Sequence, residues 1–150
     1  MVSEHIIKSY DQELQRLDNI ISEMGGLSES QLAAAIEAVA KRDSELAARV
    51  VKGDSRVDEL EREVESLVVR LLALRQPMAR DLRQIVAALK TATDLERICD
   101  YAANVAKRSI ALNQTPAVRP VYAVPRMGRL CQGMIKDMLD AYVERDADKA

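Results

Sequence analysis

The chain has 150 residues, of which 48% are hydrophobic and 31% are charged, and its formal net charge is −2. A chain of this length can bury one hydrophobic core. It has no apolar run long enough to span a membrane and no export signal, no basic surplus for a nucleic-acid backbone, and no aromatic residues beyond four tyrosines. We therefore expect a soluble, cytoplasmic protein that does not bind nucleic acid.

The first predicted element is a long helix from Glu4 to Arg42. Its apolar residues recur at helical spacing, and they are Leu14, Leu17, Ile21, Met24, Leu32, Ile36 and Val39. Only the pair Gly25-Gly26 interrupts this pattern. Because glycine inside a helix costs about 1 kcal/mol, the pair predicts a kink or a point of close packing, with a true break as the alternative.

The next helices are predicted from their end signals. Asp43 and Ser44 are typical of the start of a short helix that ends at Gly53, and Asp54 can then cap a longer helix that ends near Arg75. The apolar stripe of this longer helix consists of Leu60, Val64, Leu67, Leu71 and Leu74. We expect this stripe to face the core.

Pro77 marks the next boundary, because it disfavours helix at Gln76 and suits the first turn of a following helix. A third long helix is predicted from Met78 to Leu112. Its apolar stripe consists of Ile85, Ala88, Ala92, Leu95, Cys99, Ala102, Ala106 and Ile110. Residues 113–125 carry three prolines and predict a linker, and a fourth helix follows from about Arg126. The sequence thus predicts an all-α fold.

An internal repeat organises the chain. The segment from Met24 aligns with the segment from Met127 at an offset of 103 positions. The matched residues are Met24, Gly25, Leu27, Ala38, Arg42, Asp43 and Ala47 with Met127, Gly128, Leu130, Ala141, Arg145, Asp146 and Ala150. We interpret this as a duplicated helical module whose second copy is cut short, with residues 1–112 as the first module, 113–125 as a linker and 126–150 as the start of the second.

The fourth helix also bears on the oligomeric state. Its apolar stripe consists of Met127, Cys131, Met134, Met138 and Tyr142, widened by Ile135 and Leu139, and is typical of a core-facing helix. If its partners in the second module are missing, the stripe has to pack elsewhere. A second copy of the chain can cover it, so we expect a homo-oligomer formed largely through this helix.

Four carboxylates form the most unusual pattern. Asp54 and Asp58 are four positions apart, as are Glu96 and Asp100, although like charges at this spacing repel each other on a helix. If the helices before and after Pro77 form an antiparallel hairpin, Asp54 lies level with Asp100, and Asp58 with Glu96. Such a cluster repels itself unless a hard cation lies between the oxygens. The four residues, called here the carboxylate quartet, therefore predict a metal site in a surface groove.

A plain alternative is that these acids belong to an ordinary solvated surface. Asp54 could serve only as a helix cap. Glu96 could pair with Arg97 or Lys90, and Asp100 with Asn104 or Lys107.

Three segments, "GDSRVDELEREVESL", "RQPMARDLR" and "DLERICDYA", closely resemble the PhoU family, the accessory regulators of bacterial phosphate-specific transport. The resemblance implies two similar three-helix bundles in tandem, each with a pair of E(D)xxxD motifs that bind metal on the bundle surface. The first motif pair corresponds to the carboxylate quartet, and the second pair is missing. An all-carboxylate set accepts Mg, Mn, Zn or Fe.

The resemblance also implies a function. PhoU-like proteins resemble adaptors that couple the ATPase of a phosphate transporter to a sensor histidine kinase, hold the starvation response off, and reach the membrane only through these partners. Arg80 and Arg83 match arginines of the family and are expected to contact a partner or an anion, with pairing to Asp81 as the alternative.

Enzymatic activity is not expected. The sequence has no glycine-rich phosphate loop, no Ser-His-Asp or Cys-His set, no Glu-x-x-His pair, and His5 as its single histidine. Two rival functions remain: a structural helical-bundle module without metal dependence, and a helical metalloenzyme.

Overall fold

In a computed structural model, the described residues form four helices, α1 (Val2–Lys41), α2 (Ser44–Arg75), α3 (Ala79–Leu112) and α4 (Ala123–Glu144). The description covers residues 2–117 and 123–149, without the side chains of residues 2–7, and therefore of His5, and without the side chain of Asp54. Helices α1, α2 and α3 pack against one another as a three-helix bundle, and α4 packs against α1. The all-α prediction is confirmed. In the part of the chain described, no helix is long and apolar enough to cross a membrane.

The predicted apolar stripes form the core of the bundle. The largest fully buried hydrophobic side chains are Leu17, Ile21, Met24, Leu60, Leu71, Ile85 and Leu95, and Cys99 lies among them as expected. Leu74 is the exception, since it is 68% exposed. In this last turn of α2 it is Arg75 that faces α1, where its Nε donates to the Glu13 carboxylate at 2.9 Å.

The predicted break at Gly53 is wrong, because α2 runs unbroken from Ser44 to Arg75. Val50 and Val57 are both buried on either side of the glycine. Burying one such side chain contributes about 1.5–3 kcal/mol, which exceeds the cost of one helical glycine. The cap at Asp43 is confirmed, since the Leu46 N–H donates to its carboxylate at 2.9 Å.

Gly25 is a point of close packing in an unbroken α1. A Cβ atom placed on Gly25 would lie 2.3 Å from the Leu139 side chain in α4, and one placed on Gly128 would lie 2.6 Å from the Ile36 side chain in α1. In the internal repeat, Gly128 is the counterpart of Gly25, and Leu139 is the counterpart of Ile36. The contact between α1 and α4 is therefore pseudo-symmetric: each helix presents a glycine to a branched side chain of the other.

The two repeats also end alike. Arg42 and Arg145 both leave the helix in the left-handed region, with φ values of 54° and 59°. The N–H groups of the next residues, Asp43 and Asp146, each donate at 3.0 Å to the carbonyl five positions earlier. This shared helix end supports the duplication that the sequence predicts.

The expected course of α4 needs correction. The helix begins at Ala123 rather than Arg126, and residues 118–122 of the expected linker lie outside the described residues. The face packed on α1 contains Gly128, Ile135 and Ala141, whereas Met127 is 62% and Met134 is 71% exposed. The predicted core stripe is confirmed in part, since Ile135 is buried and Met138 and Tyr142 pack against the core. Its other half is exposed, because close approach of two helices selects small residues such as Gly128, which a hydropathy pattern does not count.

A polar contact fixes the C-terminal half of α4. The Asp18 carboxylate of α1 accepts hydrogen bonds from the Tyr142 hydroxyl at 2.8 Å, from the Arg145 guanidinium at 2.7 Å and from the Gln84 amide of α3 at 3.3 Å. Burial, together with the hydrogen bond to Asp18, raises the pKa of Tyr142. Asp18 therefore ties three helices together.

Replacing Asp18 by Ala should loosen α4, because it leaves the half-buried Tyr142 hydroxyl without its acceptor. We expect a loss of about 1–3 kcal/mol, measured as faster amide hydrogen exchange in α4. The matched control is Asp140→Ala, which removes an exposed ion pair to Lys136 in the same helix and should change exchange little. Equal acceleration in both variants would contradict the assignment.

Candidate metal site on the outer face of the hairpin

The bounds of α2 and α3 place the carboxylates in register. Asp58 lies 17 positions before Arg75, the last residue of α2, and Glu96 lies 17 positions after Ala79, the first residue of α3. Asp54 and Asp100 are each 21 positions from the same two residues. Since both helices rise by about 1.5 Å per residue, each pair lies at one height across the antiparallel hairpin.

The direction in which Glu96 and Asp100 point can be deduced from the residues on the other side of α3. Thr91, Ile98 and Tyr101 line a cavity of about 480 Å³ between α3 and α4. At about 100° per residue, Glu96 and Asp100 point to the opposite flank of α3. That flank faces α2.

The direction of Asp58 is fixed in the same way. On α2, Arg56 and Glu63 face α1, where they pair with Glu23 at 2.8 Å and with Arg16. Asp58 is two residues beyond Arg56 and so lies about 200° around the helix from it. We call the side of the α2–α3 hairpin that is turned away from α1 the outer face, and Asp58, Glu96 and Asp100 lie on it.

Two of these acids, Asp58 and Asp100, have no partner among the described residues. Within the described residues, neither Asp58 nor Asp100 has a hydrogen bond or an ion pair, and Asp58 is half-buried. The alternative pairing of Asp100 with Asn104 or Lys107 is therefore not formed, while Arg97 lies 3.5 Å from Asp94. A half-buried carboxylate without a cation is unfavourable by itself.

The donor set suits a hard cation, since carboxylate oxygens are ligands that Mg²⁺, Mn²⁺ and Fe accept. The side chains described do not by themselves contain three or more His, Cys, Asp or Glu residues grouped closely enough to hold a metal. The side chain of Asp54, the fourth member of the quartet, lies outside that description. The metal site thus stays a prediction. The helix bounds agree with it, since they place the residues of each carboxylate pair at the same height.

Arg80 and Arg83 are both exposed in the first turns of α3. The expected alternative, pairing with Asp81, is not formed: the Asp81 carboxylate accepts from the Tyr10 hydroxyl of α1 at 3.1 Å. Burial and this hydrogen bond raise the pKa of Tyr10 to about 12. The contact of these two arginines with a partner or an anion stays a prediction.

Sequence reasoning missed the apolar cavity between α3 and α4. Leu32 of α1 lies at the cavity, and α4 contributes Cys131, Met134, Ile135 and Met138. The signal was present in the repeat, which aligns Gly128 with Gly25 and so indicates which face of α4 approaches α1. Of the residues expected to form a core stripe, Cys131 and Met134 are exposed at this cavity instead.

Comparison with known proteins gives a consistent result. Residues 21–109 match the model of the PhoU domain. Over 150 residues the chain is 48% identical to a phosphate-specific transport system accessory protein PhoU homolog of Caulobacter vibrioides, covering 99% of this chain and 65% of the relative. A homolog of the same name from Zymomonas mobilis is 42% identical, covering 97% of this chain and 62% of the relative.

A solved structure agrees in fold. The crystal structure of PhoU from Pseudomonas aeruginosa superposes with a TM-score of 0.89 at 38% identity, covering 93% of this chain and 68% of that one. The chain spans 65% of the length of the Caulobacter relative.

Proposed function

This chain belongs to the PhoU family, and from that premise we propose that it is a metal-binding accessory regulator of phosphate transport. The observation that carries the proposal is the register of the carboxylate quartet on the outer face of the hairpin. A bound cation would neutralise the acids there and join α2 to α3. The names of the relatives support the link to phosphate transport.

The partners in this proposal are the ATPase of the phosphate transporter and the sensor histidine kinase. The chain acts as an adaptor between them, and its contribution is binding rather than turnover. Its surface supports this role, because exposed apolar and charged side chains lie close together on α2 and α3 near the turn of the hairpin. As the chain covers only part of its relatives, one module is proposed to supply part of the contact.

The proposal is tested by binding. The purified chain is titrated against the purified ATPase subunit and the cytoplasmic part of the kinase from the same bacterium, with and without Mn²⁺. We expect binding to at least one of them and a higher affinity with Mn²⁺. Binding that is indifferent to Mn²⁺, Mg²⁺, Zn²⁺ and Fe²⁺ would favour the structural module without metal dependence, and turnover by the metal-loaded chain would favour an enzyme.

A further inference from the structure

The outer face of the hairpin carries an exposed apolar strip near its turn. We call it the apolar ribbon, and it consists of Val69, Leu72, Met78, Leu82 and Val86. Val69 is 66% exposed and Met78 is 81% exposed, while the other three are close to 40%. Residues of this kind side by side on a surface are typical of a protein interaction site.

The ribbon lies on the same face as Asp58 and Asp100. Leu82 and Asp100 are 18 positions apart in α3, and Val69 and Asp58 are 11 positions apart in α2. Because about 3.6 residues make one turn, the first pair is separated by five turns and the second by about three, so each pair shares one face of its helix. Across the hairpin, Leu72 and Leu82 are each three positions from the helix ends at Arg75 and Ala79.

Cations without internal partners flank the ribbon. Arg83 directly follows Leu82, and Lys90 lies seven positions further, which is about two turns. Both are exposed, and like Arg80 they have no hydrogen bond or ion pair to the described residues. By contrast, Arg56, Arg70 and Arg75 are all paired with glutamates.

We propose that the apolar ribbon is the docking surface for an acidic amphipathic helix of a partner protein. The apolar side of that helix covers Leu72, Leu82 and Val86, and its carboxylates pair with Arg83 and Lys90. A helix that lays its apolar face onto an apolar surface is a common mode of recognition, and Leu82 and Val86 mark its path along α3. The proposal rests on the proposed function, in which the partner is the transporter ATPase or the kinase.

The charges near the ribbon favour an acidic helix over an anionic membrane or a second copy of the chain. An anionic membrane would also meet Glu65, Asp58 and Asp100 on the outer face, where like charges repel. A second copy of the chain would bring the same apolar strip with the same cations beside it. An amphipathic helix can carry its acids along one edge only, which then meets Arg83 and Lys90 on α3 and stays clear of Glu65 on α2.

The test compares two charge reversals of equal size on the same helix. The double variant Arg83→Glu with Lys90→Glu removes the cationic edge, and Lys107→Glu with Arg108→Glu changes two exposed cations at the far end of α3. Binding to the purified ATPase subunit and to the cytoplasmic part of the kinase is measured by biolayer interferometry. We expect at least a tenfold loss of affinity for the first variant and less than a twofold change for the second.

A second variant tests the apolar part. Val86→Asp should also weaken binding at least tenfold, whereas Val143→Asp, at a 63% exposed position on α4, should not. Melting curves verify that each variant is folded. On the partner, hydrogen exchange should show protection of an acidic, amphipathic segment when the chain is added.

The outcomes separate the two proposals. If the unchanged chain binds neither protein, the proposed association is overturned and the docking surface with it. If the unchanged chain binds, two results would overturn only the docking surface. Both charge reversals could lower the affinity equally, or neither could lower it. Binding to vesicles containing phosphatidylglycerol, lost on Arg83→Glu with Lys90→Glu while protein binding persists, would also overturn it.

Discussion

Replacing Glu96 by Gln and Asp100 by Asn should abolish the rise in melting temperature that Mn²⁺ or Mg²⁺ gives the unchanged chain. A cation at 100 times its dissociation constant stabilises the folded state by about 2.7 kcal/mol. For a chain of this size that corresponds to a rise of about 5–10 °C. The double variant removes two ligand charges without touching the core, since Leu95 and Cys99 remain in place, and its rise should be close to zero.

The control removes two carboxylates at the same height that do not belong to the quartet. Glu59→Gln with Asp94→Asn changes exposed acids that pair with Arg56 and Arg97. This variant should keep the full metal response. Without metal, the quartet variant should be at least as stable as the unchanged chain, because two mutually repelling charges are gone. An undiminished metal response in the quartet variant would show that these acids form a solvated surface.

The heights of these carboxylates were predictable because they depend only on counting from the turn at Pro77. The helices on either side end at Arg75 and begin at Ala79, so the turn is symmetric about that proline. The lack of partners for Asp58 was not predictable, because it depends on which face α2 turns to α1. That orientation is set by contacts such as Arg56 with Glu23, far apart in sequence.

The fold was predictable where one side of a helix is buried by large side chains. The stripes of α1 and α2 follow Leu, Ile, Met and Val at helical spacing, and that of α3 adds alanine and Cys99. The structure buries or half-buries all of these residues except Leu74. Two predictions failed because the packing role of a glycine was not counted. Gly53 does not end α2, since packing on both sides holds the helix, and Gly128 rather than Met127 directs α4.

Replacing Gly128 by Leu should detach α4 from α1. The new side chain has no room, because its Cβ would lie 2.6 Å from Cγ1 and 3.0 Å from Cγ2 of Ile36, which is branched at Cβ and so cannot easily move aside. Overpacking of this kind costs about 3 kcal/mol. Amide exchange in α4 should accelerate on the order of a hundredfold, while exchange in the cores of α2 and α3 should change little.

The control and the rescue use the same interface. Gly133→Ala meets nothing within 4 Å, and it should stabilise α4 by about 0.5–1 kcal/mol because alanine favours helix. Adding Ile36→Ala to Gly128→Leu should restore part of the protection, since it opens the space that the new side chain needs. The pseudo-symmetry of the α1–α4 contact predicts a second rescue. Leu139→Ala should rescue Gly25→Leu in the same way, and rescue at one end only would show that the two glycine contacts are not equivalent.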